Sequence, residues 1–372
     1  MAELLPPYGG TLVSLYDDWE EEPAHVMPVG ENTIQIIGAL ASGALSPLKG
    51  FMDRETCRSV VEEMRLPGGL PFPYPILLPA PPFFARRLRP GEPVGLQDTQ
   101  GNPVALLQVD DVFAFDGRWD PLLGSEDIFL PAPSHMFLGG TLKVARRLWA
   151  GDEPASMREL FLRRGARKLA GKALRDPLFR DTEYLLRLVL EEEDGVLLLL
   201  YDDDSFGLPN RVRAEGMRRV LQSYFPPRRV EVVGKPWWPL GGHVRKALLS
   251  AVVLKNYGCQ RILYLPDDVG EDGVPGGKGG KAYRLLESWL PHFTRPLEVD
   301  PFLSWQVYFC DGCGQLTTSR TCPHGPLEKV MMNRERLGRL LQAGVTPPPQ
   351  YVRPELARYL LGWTRGGTGK GG

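Results

Sequence analysis

The 372-residue chain has no surplus charge of either sign, with 44 Lys and Arg against 45 Asp and Glu and a formal net charge of −1. So even a balance sets up no global field toward nucleic acid or an anionic membrane, and neither partner is expected. Long apolar runs are missing as well: the longest is Val196–Tyr201, far short of the ~20 residues that span a bilayer. The opening MAELLPPYGG shows neither a basic n-region nor an apolar h-region, so a cytoplasmic protein is expected. Cysteine is scarce, with only Cys57, Cys259, Cys310, Cys313 and Cys322. That usage favours a reducing compartment over a disulfide scaffold. No G-x-x-x-x-G-K-[ST] string occurs, so no P-loop cradles a nucleotide. Internal repeats and coiled-coil heptads are absent too. Plentiful are 36 Pro and 42 Gly, which punctuate turns and argue against a helical bundle.

The rhythm of the chain changes near residue 155. Before it the sequence is β-rich. Pro71–Pro79 is extended and proline-interrupted, which suits an edge strand or strand entry. Two strands are expected around a turn at Asp98–Gly101, and a short helix over Thr141–Trp149 closes the region. Beyond it, Ser156 and Glu159 have capping-box spacing for a helix at Met157–Arg163. A strand near Arg167–Ala173 follows, then a helix at Thr182–Glu192. Val196–Tyr201 is continuously apolar, as a buried parallel strand should be. A helix at Arg211–Tyr224, a strand at Val230–Val233, a helix at Val244–Tyr257 ended by Gly258, a strand at Arg261–Leu265 and a helix at Tyr283–Leu290 complete the alternation. Strands alternating with helices predict a doubly wound α/β sheet. Ligands of such sheets bind at the carboxyl ends of the strands. The acidic turn Asp202–Asp204 stands at such an end, and the glycine-rich Pro275–Tyr283 precedes a helix as an anion cradle would, although a solvated turn and a flexible loop are the commoner explanations.

From about Trp305 the composition changes again. Cys310-x2-Cys313-x8-Cys322-x-His324 offers three thiolates and an imidazole, a standard donor set for tetrahedral zinc. Four protein ligands leave no open position for water, so the site would be structural. A helix near Arg334–Gln342 follows.

Several strings then occur in a telling order: SPLKGFM (Ser46–Met52), RRGARKL (Arg163–Leu169), YFPPRRV (Tyr224–Val230), LKNYGC (Leu254–Cys259), CDGCGQLTTSRTCPHG and PPPQYVRPEL (Pro347–Leu356). Together they resemble the ATP sulfurylase (sulfate adenylyltransferase) family, which makes adenosine 5′-phosphosulfate (APS) and pyrophosphate from ATP and sulfate. The resemblance implies an α/β protein of three parts. These are a PUA-like β-rich domain over 1–152, a doubly wound, Rossmann-like nucleotidyltransferase-type domain over 153–302, and a zinc-bearing region over 303–372. It also implies ATP or a related adenine nucleotide and sulfate or another oxyanion as ligands, Mg²⁺ accompanying ATP, and a homo-oligomer.

The departures fall on the chemistry. Where the family reads Gln-Thr-Arg-Asn-Pro-x-His-x-x-His, this chain reads ALRDPLFRDT. Arg175 and Pro177 match, while Ala173, Asp176, Phe179 and Thr182 replace the Gln, the Asn and both His. In the second loop Arg245 and Ala247 match, with Gly242, His243 and Val244 substituted. In the third, Asp267 and Gly270 match, while Leu265, Pro266 and Asp268 replace Gly, Arg and His. The resemblance thus implies catalytic roles for Arg175, Arg245 and Asp267. It implies phosphate or nucleotide contacts for Arg175, Asp176, Arg180, Gly242, Arg245 and Gly270. Phe179 cannot donate a hydrogen bond, and losing one transition-state donor typically costs about 10²–10³ in rate. Asp176 and Asp268 place negative charge where a polyanion would sit, unless a metal ion bridges them.

Overall fold

The computed structural model describes residues 3–17, 19–20, 22–114, 136–145, 151–174, 176–201, 208–237, 244–269, 280–330 and 334–366. Among these, the N-terminal part holds β1 (His25–Pro28), α1 (Glu31–Ala41), β2 (Gly50–Phe51), α2 (Arg54–Glu63), β3 (Leu78–Ala80), α3 (Pro82–Ala85), β4 (Pro93–Gln97), β5 (Pro103–Ala114) and β6 (Met136–Val144). The sheet order is β1-β4-β5-β6-β2, with β3 also on β6. The β4–β5 hairpin turns where the sequence places it: Asp98 Oδ1 accepts from the amides of Gln100 and Asn102, both at 2.9 Å. Only Leu78 and Pro79 of the extended Pro71–Pro79 stretch join the sheet, in β3. The helix expected over Thr141–Trp149 does not begin at Thr141. Thr141–Val144 instead ends β6, paired with β5, because Leu142 and Val144 alternate as buried residues with exposed Thr141 and Lys143. Residues 146–150 lie outside the described residues. The SPLKGFM string has its own steric reason for glycine, since a Cβ at Gly50 would meet the Gly140 carbonyl oxygen at 2.0 Å.

The next element is α4 (Pro154–Arg163). It begins ahead of the expected capping box, with Pro154 in its first turn and no side-chain cap. Proline suits that position because its missing N–H would be unpaired there anyway. The second sheet follows: β7 (Leu169–Leu174), α5 (Arg180–Leu190), β8 (Gly195–Tyr201), α6 (Asn210–Tyr224), β9 (Val230–Trp237), α7 (Val244–Asn256), β10 (Arg261–Tyr264), α8 (Lys281–Leu297) and β11 (Asp300–Leu303). Its order is β11-β10-β7-β8-β9, with every pair parallel. Strand β8 shows why its sequence is continuously apolar. Leu197, Leu199 and Tyr201 belong to one core and Val196, Leu198 and Leu200 to the other, so both faces are buried. Helix α8 continues through Pro291 and Pro296 to Leu297, past the Leu290 end suggested by the sequence.

All thirteen residues of α7 are buried, because the helix lies in the core shared by the first sheet and the parallel one. Gly258, at φ +95°, lets the chain turn off its end, with Cys259 N–H donating to Leu254 O at 3.0 Å.

The third sheet is antiparallel: β12 (Val307–Cys310), β13 (Gln315–Thr318) and β14 (Lys329–Val330), in the order β13-β12-β14. Two helices, α9 (Arg334–Gln342) and α10 (Pro354–Gly366), then return to the parallel sheet. Leu337, Leu341, Leu356 and Leu360 fill the second core beside Leu198 and Met217.

Candidate functional site

The strand order of the parallel sheet reverses at β7. From there β8 and β9 build outward on one side and β10 and β11 on the other. The crevice beyond the carboxyl ends of β7 and β10 is therefore the topological switch point, where sheets of this kind bind ligands. Two segments follow these strand ends: residues 176–179 after β7, and Leu265 with the 3-10 turn Pro266–Val269 after β10.

Lys172, on β7, is 1% exposed and reaches the turn after β10. Its Nζ lies 2.9 and 2.8 Å from the two carboxylate oxygens of Asp268, and the Leu265 amide donates to Asp268 Oδ2 at 2.7 Å. Asp268 thus brings no uncompensated negative charge to this edge, contrary to the sequence-based expectation; its charge is matched by a buried cation. The sequence signal for Lys172 was a lone lysine inside the apolar strand L-A-G-K-A-L.

Asp176 is 3% exposed. Phe179 packs into the second core with Leu178 and Leu186. Arg180 begins α5 and turns toward the C-terminal segment: its amide donates to Tyr351 O and its Nη1 to Pro349 O, both at 2.9 Å. Arg245 faces the first sheet's domain, its guanidinium donating to the carbonyls of Val60 (3.1 Å), Val61 (2.9 Å) and Pro73 (3.4 Å). Asp267 stands in the 3-10 turn. Arg175, Gly242 and Gly270 lie outside the described residues, as do Asp202–Asp204 and residues 275–279.

The LKNYGC string turns out to be an anchor between domains. Asn256 is wholly buried. Its Nδ2 donates to Ala44 O (3.0 Å) and Ser46 O (3.2 Å), and its Oδ1 accepts from the Tyr8 amide at 2.9 Å. Tyr257 Oη donates to Asp152 O at 2.8 Å. Cys259 and Cys57 are both buried. Burial, followed by the charge of Asp53, pushes the Cys57 thiol up to about 12, and burial pushes Cys259 up as well.

The four cysteine and histidine ligands do converge. His324 Nδ1 is 3.4 Å from Cys310 Sγ, 3.2 Å from Cys313 Sγ and 3.6 Å from Cys322 Sγ, while Cys322 Sγ is 3.5 Å from Cys310 Sγ and 3.7 Å from Cys313 Sγ. A regular tetrahedron with metal–sulfur bonds of about 2.3 Å and a metal–nitrogen bond of about 2.0 Å has S···S edges of about 3.8 Å and S···N edges of about 3.5 Å. These five edges are close to those dimensions and all four donor atoms lie within 4.8 Å of one another, so the donors fit a metal ion of this kind. Gly312 makes room for the imidazole, since a Cβ there would lie 2.9 Å from His324 Nε2. Behind the cluster, Val307 packs with Leu185 of α5 and with Leu265. The module is thereby braced against the loop that carries Asp268.

The fold is that of an α/β protein with a β-rich N-terminal part, a parallel sheet whose switch point lies between β7 and β10, and a compact cysteine–histidine cluster that could hold a metal ion. The ATP-sulfurylase family model matches residues 150–363 and a PUA-like domain model matches residues 6–122; the chain belongs to the ATP-sulfurylase family. It is 31% identical to a sulfate adenylyltransferase of Symbiobacterium thermophilum, over 97% of this chain and 96% of that one. It is 28% identical to one from a Synechococcus species, over 96% of each. Its fold is similar to that of a solved hexameric APS kinase from Thiobacillus denitrificans, with a TM-score of 0.74 at 24% identity, covering 97% of this chain and 69% of that one. Among the described residues, no helix is long and apolar enough to cross a membrane.

Proposed function

We propose that this protein binds an adenine nucleotide and an oxyanion at the carboxyl edge of its parallel sheet, and that it does not transfer an adenylyl group to sulfate by the histidine-based route its family resemblance implies. The observation that carries this reading is what stands at the family's histidine positions. Phe179 is buried among leucines, and Asp268 is committed to Lys172. Adenylyl transfer depends on cationic and hydrogen-bonding groups aimed at developing phosphate charge. A phenyl ring and a paired carboxylate supply none. Because the Lys172–Asp268 pair is neutral as a unit, it does not repel an anion from the crevice, which supports retained binding. Mg²⁺ would accompany ATP. In the second centre we infer zinc in a structural role, held by Cys310, Cys313, Cys322 and His324, since thiolates and imidazole are its preferred ligands and all four positions come from protein.

A second reading, sulfate adenylyl transfer with rebuilt donors, is favoured by the 31% identity along nearly the whole length of a sulfate adenylyltransferase. One experiment separates the two. APS and pyrophosphate are supplied with Mg²⁺, ATP formation is followed by luciferase, and binding of ATP, APS and pyrophosphate is measured in parallel by calorimetry. Binding without ATP formation above a boiled control is the expected result. Turnover that scales with enzyme concentration would establish the second reading, and absence of all binding would sink the first.

A further inference from the structure

What occupies the switch point of the parallel sheet is a carboxylate of the protein itself. Asp268 receives both oxygens' worth of contact from Lys172 Nζ, at 2.8 and 2.9 Å, and one backbone N–H bond from Leu265 at 2.7 Å. An ammonium joined to a backbone amide at the end of a parallel strand is a donor set suited to an oxyanion. The cation is fixed in place: Lys172 is 1% exposed, and its backbone is registered opposite Leu198 in the middle of the sheet. The Asp268 side chain retains 14% exposure, so its outer side opens to solvent.

We propose that Lys172 Nζ and the Leu265 amide form an oxyanion subsite, and that the Asp268 carboxylate is its built-in occupant, standing where the edge of a small free oxyanion such as sulfate, phosphate or a carboxylate would otherwise sit. This deepens the reading given above and rests on it, for it locates the oxyanion. It also gives the wild-type protein a gate. A free oxyanion enters only when the Asp268 turn swings away, so apparent affinity is reduced by the fraction of time the turn is open. Removal of a single carboxylate should then create an anion site rather than abolish one.

The test uses the full chain as Asp268→Ala, Asp268→Asn and the double variant Lys172→Met/Asp268→Ala. Each is titrated with sulfate, phosphate or formate at constant ionic strength set with sodium chloride, and read by thermal denaturation and by calorimetry. Asp268→Ala leaves a buried ammonium without its partner and is expected to melt below wild type. Its melting temperature should recover saturably with the added oxyanion, at an affinity about tenfold or more tighter than wild type shows. Comparing the three anions identifies which shape the subsite takes. The double variant, lacking the cation, should be indifferent to all three. If Asp268→Ala does not accumulate as folded protein, Asp268→Asn keeps an acceptor for the Leu265 amide while leaving Lys172 without a counter-charge, and is read in the same way. A response in the single variants no larger than in wild type or the double variant overturns the proposal, and the pair is then only a structural ion pair. Nucleotide binding by wild type is scored separately. A protein that binds no nucleotide but whose Asp268→Ala form captures sulfate refutes the proposed function while leaving the subsite standing.

Discussion

Replacing Asn256 with alanine should loosen the junction between the two domains. The side chain is wholly buried and serves three backbone groups of the N-terminal part: the carbonyls of Ala44 and Ser46 and the amide of Tyr8. Truncation leaves all three buried without the partner they had. At about 1–3 kcal/mol for each buried group left unsatisfied, the loss is at least ~3 kcal/mol. That is a large fraction of the ~5–15 kcal/mol that holds a typical domain folded. Asn256→Asp is a sharper probe, because it keeps an acceptor for Tyr8 N–H but turns a charged oxygen on the two carbonyls, and it should cost at least as much. Urea unfolding followed by circular dichroism gives the free energy. Hydrogen exchange over residues 3–17 gives the location, with the Tyr8 amide losing protection before the parallel sheet does. A loss below about 1 kcal/mol, with Tyr8 still protected, would refute the idea that this side chain ties the domains together.

Two other outcomes follow from the same structure. Asp194 accepts from the amides of Arg167 (2.7 Å) and Lys168 (2.9 Å), and these bonds hold its carboxyl below the ordinary aspartate range. Its contribution is therefore present above the unfolded value of about 3.9 and is lost as pH falls through the lower folded one. The stability gap between wild type and Asp194→Asn, measured by denaturation across pH, should be constant near neutrality and close below about pH 4; a gap that persists in acid contradicts the assignment. Cys322→Ser should lose the metal, counted by elemental analysis as about one zinc per wild-type chain. It should also raise proteolytic sensitivity around β12 and β13 while α7 remains protected; full metal content in the variant would rule out the four-ligand site.

Much of the architecture was written in local pattern. The apolar run of β8 could be buried only on both faces, Gly258 had to turn off the end of α7, and the Cys310–His324 spacing required only two short turns to bring four donors together. Two elements differ from their local reading. Thr141–Val144 pairs as strand because β5 is there to receive it, and α8 absorbs two prolines because Leu286, Leu290, Phe293 and Leu297 all reach the core.

The functional centre was legible only in part, for a physical reason. The sequence alone determined which side chains stand at the family's motif positions, and hence that three histidines are replaced. It could not say what the replacements touch, because those partners are far apart along the chain and no periodicity links them. Lys172 meets Asp268 across 96 residues, Arg245 reaches Val60 across 185, and Asn256 reaches Ala44 across 212. Each polar group is buried by packing that only the assembled sheets create, and burial obliges it to find a partner nearby in space. Tertiary structure therefore decided that Asp268 is one half of a neutral pair and that Arg245 reaches across to the carbonyls of the neighbouring domain.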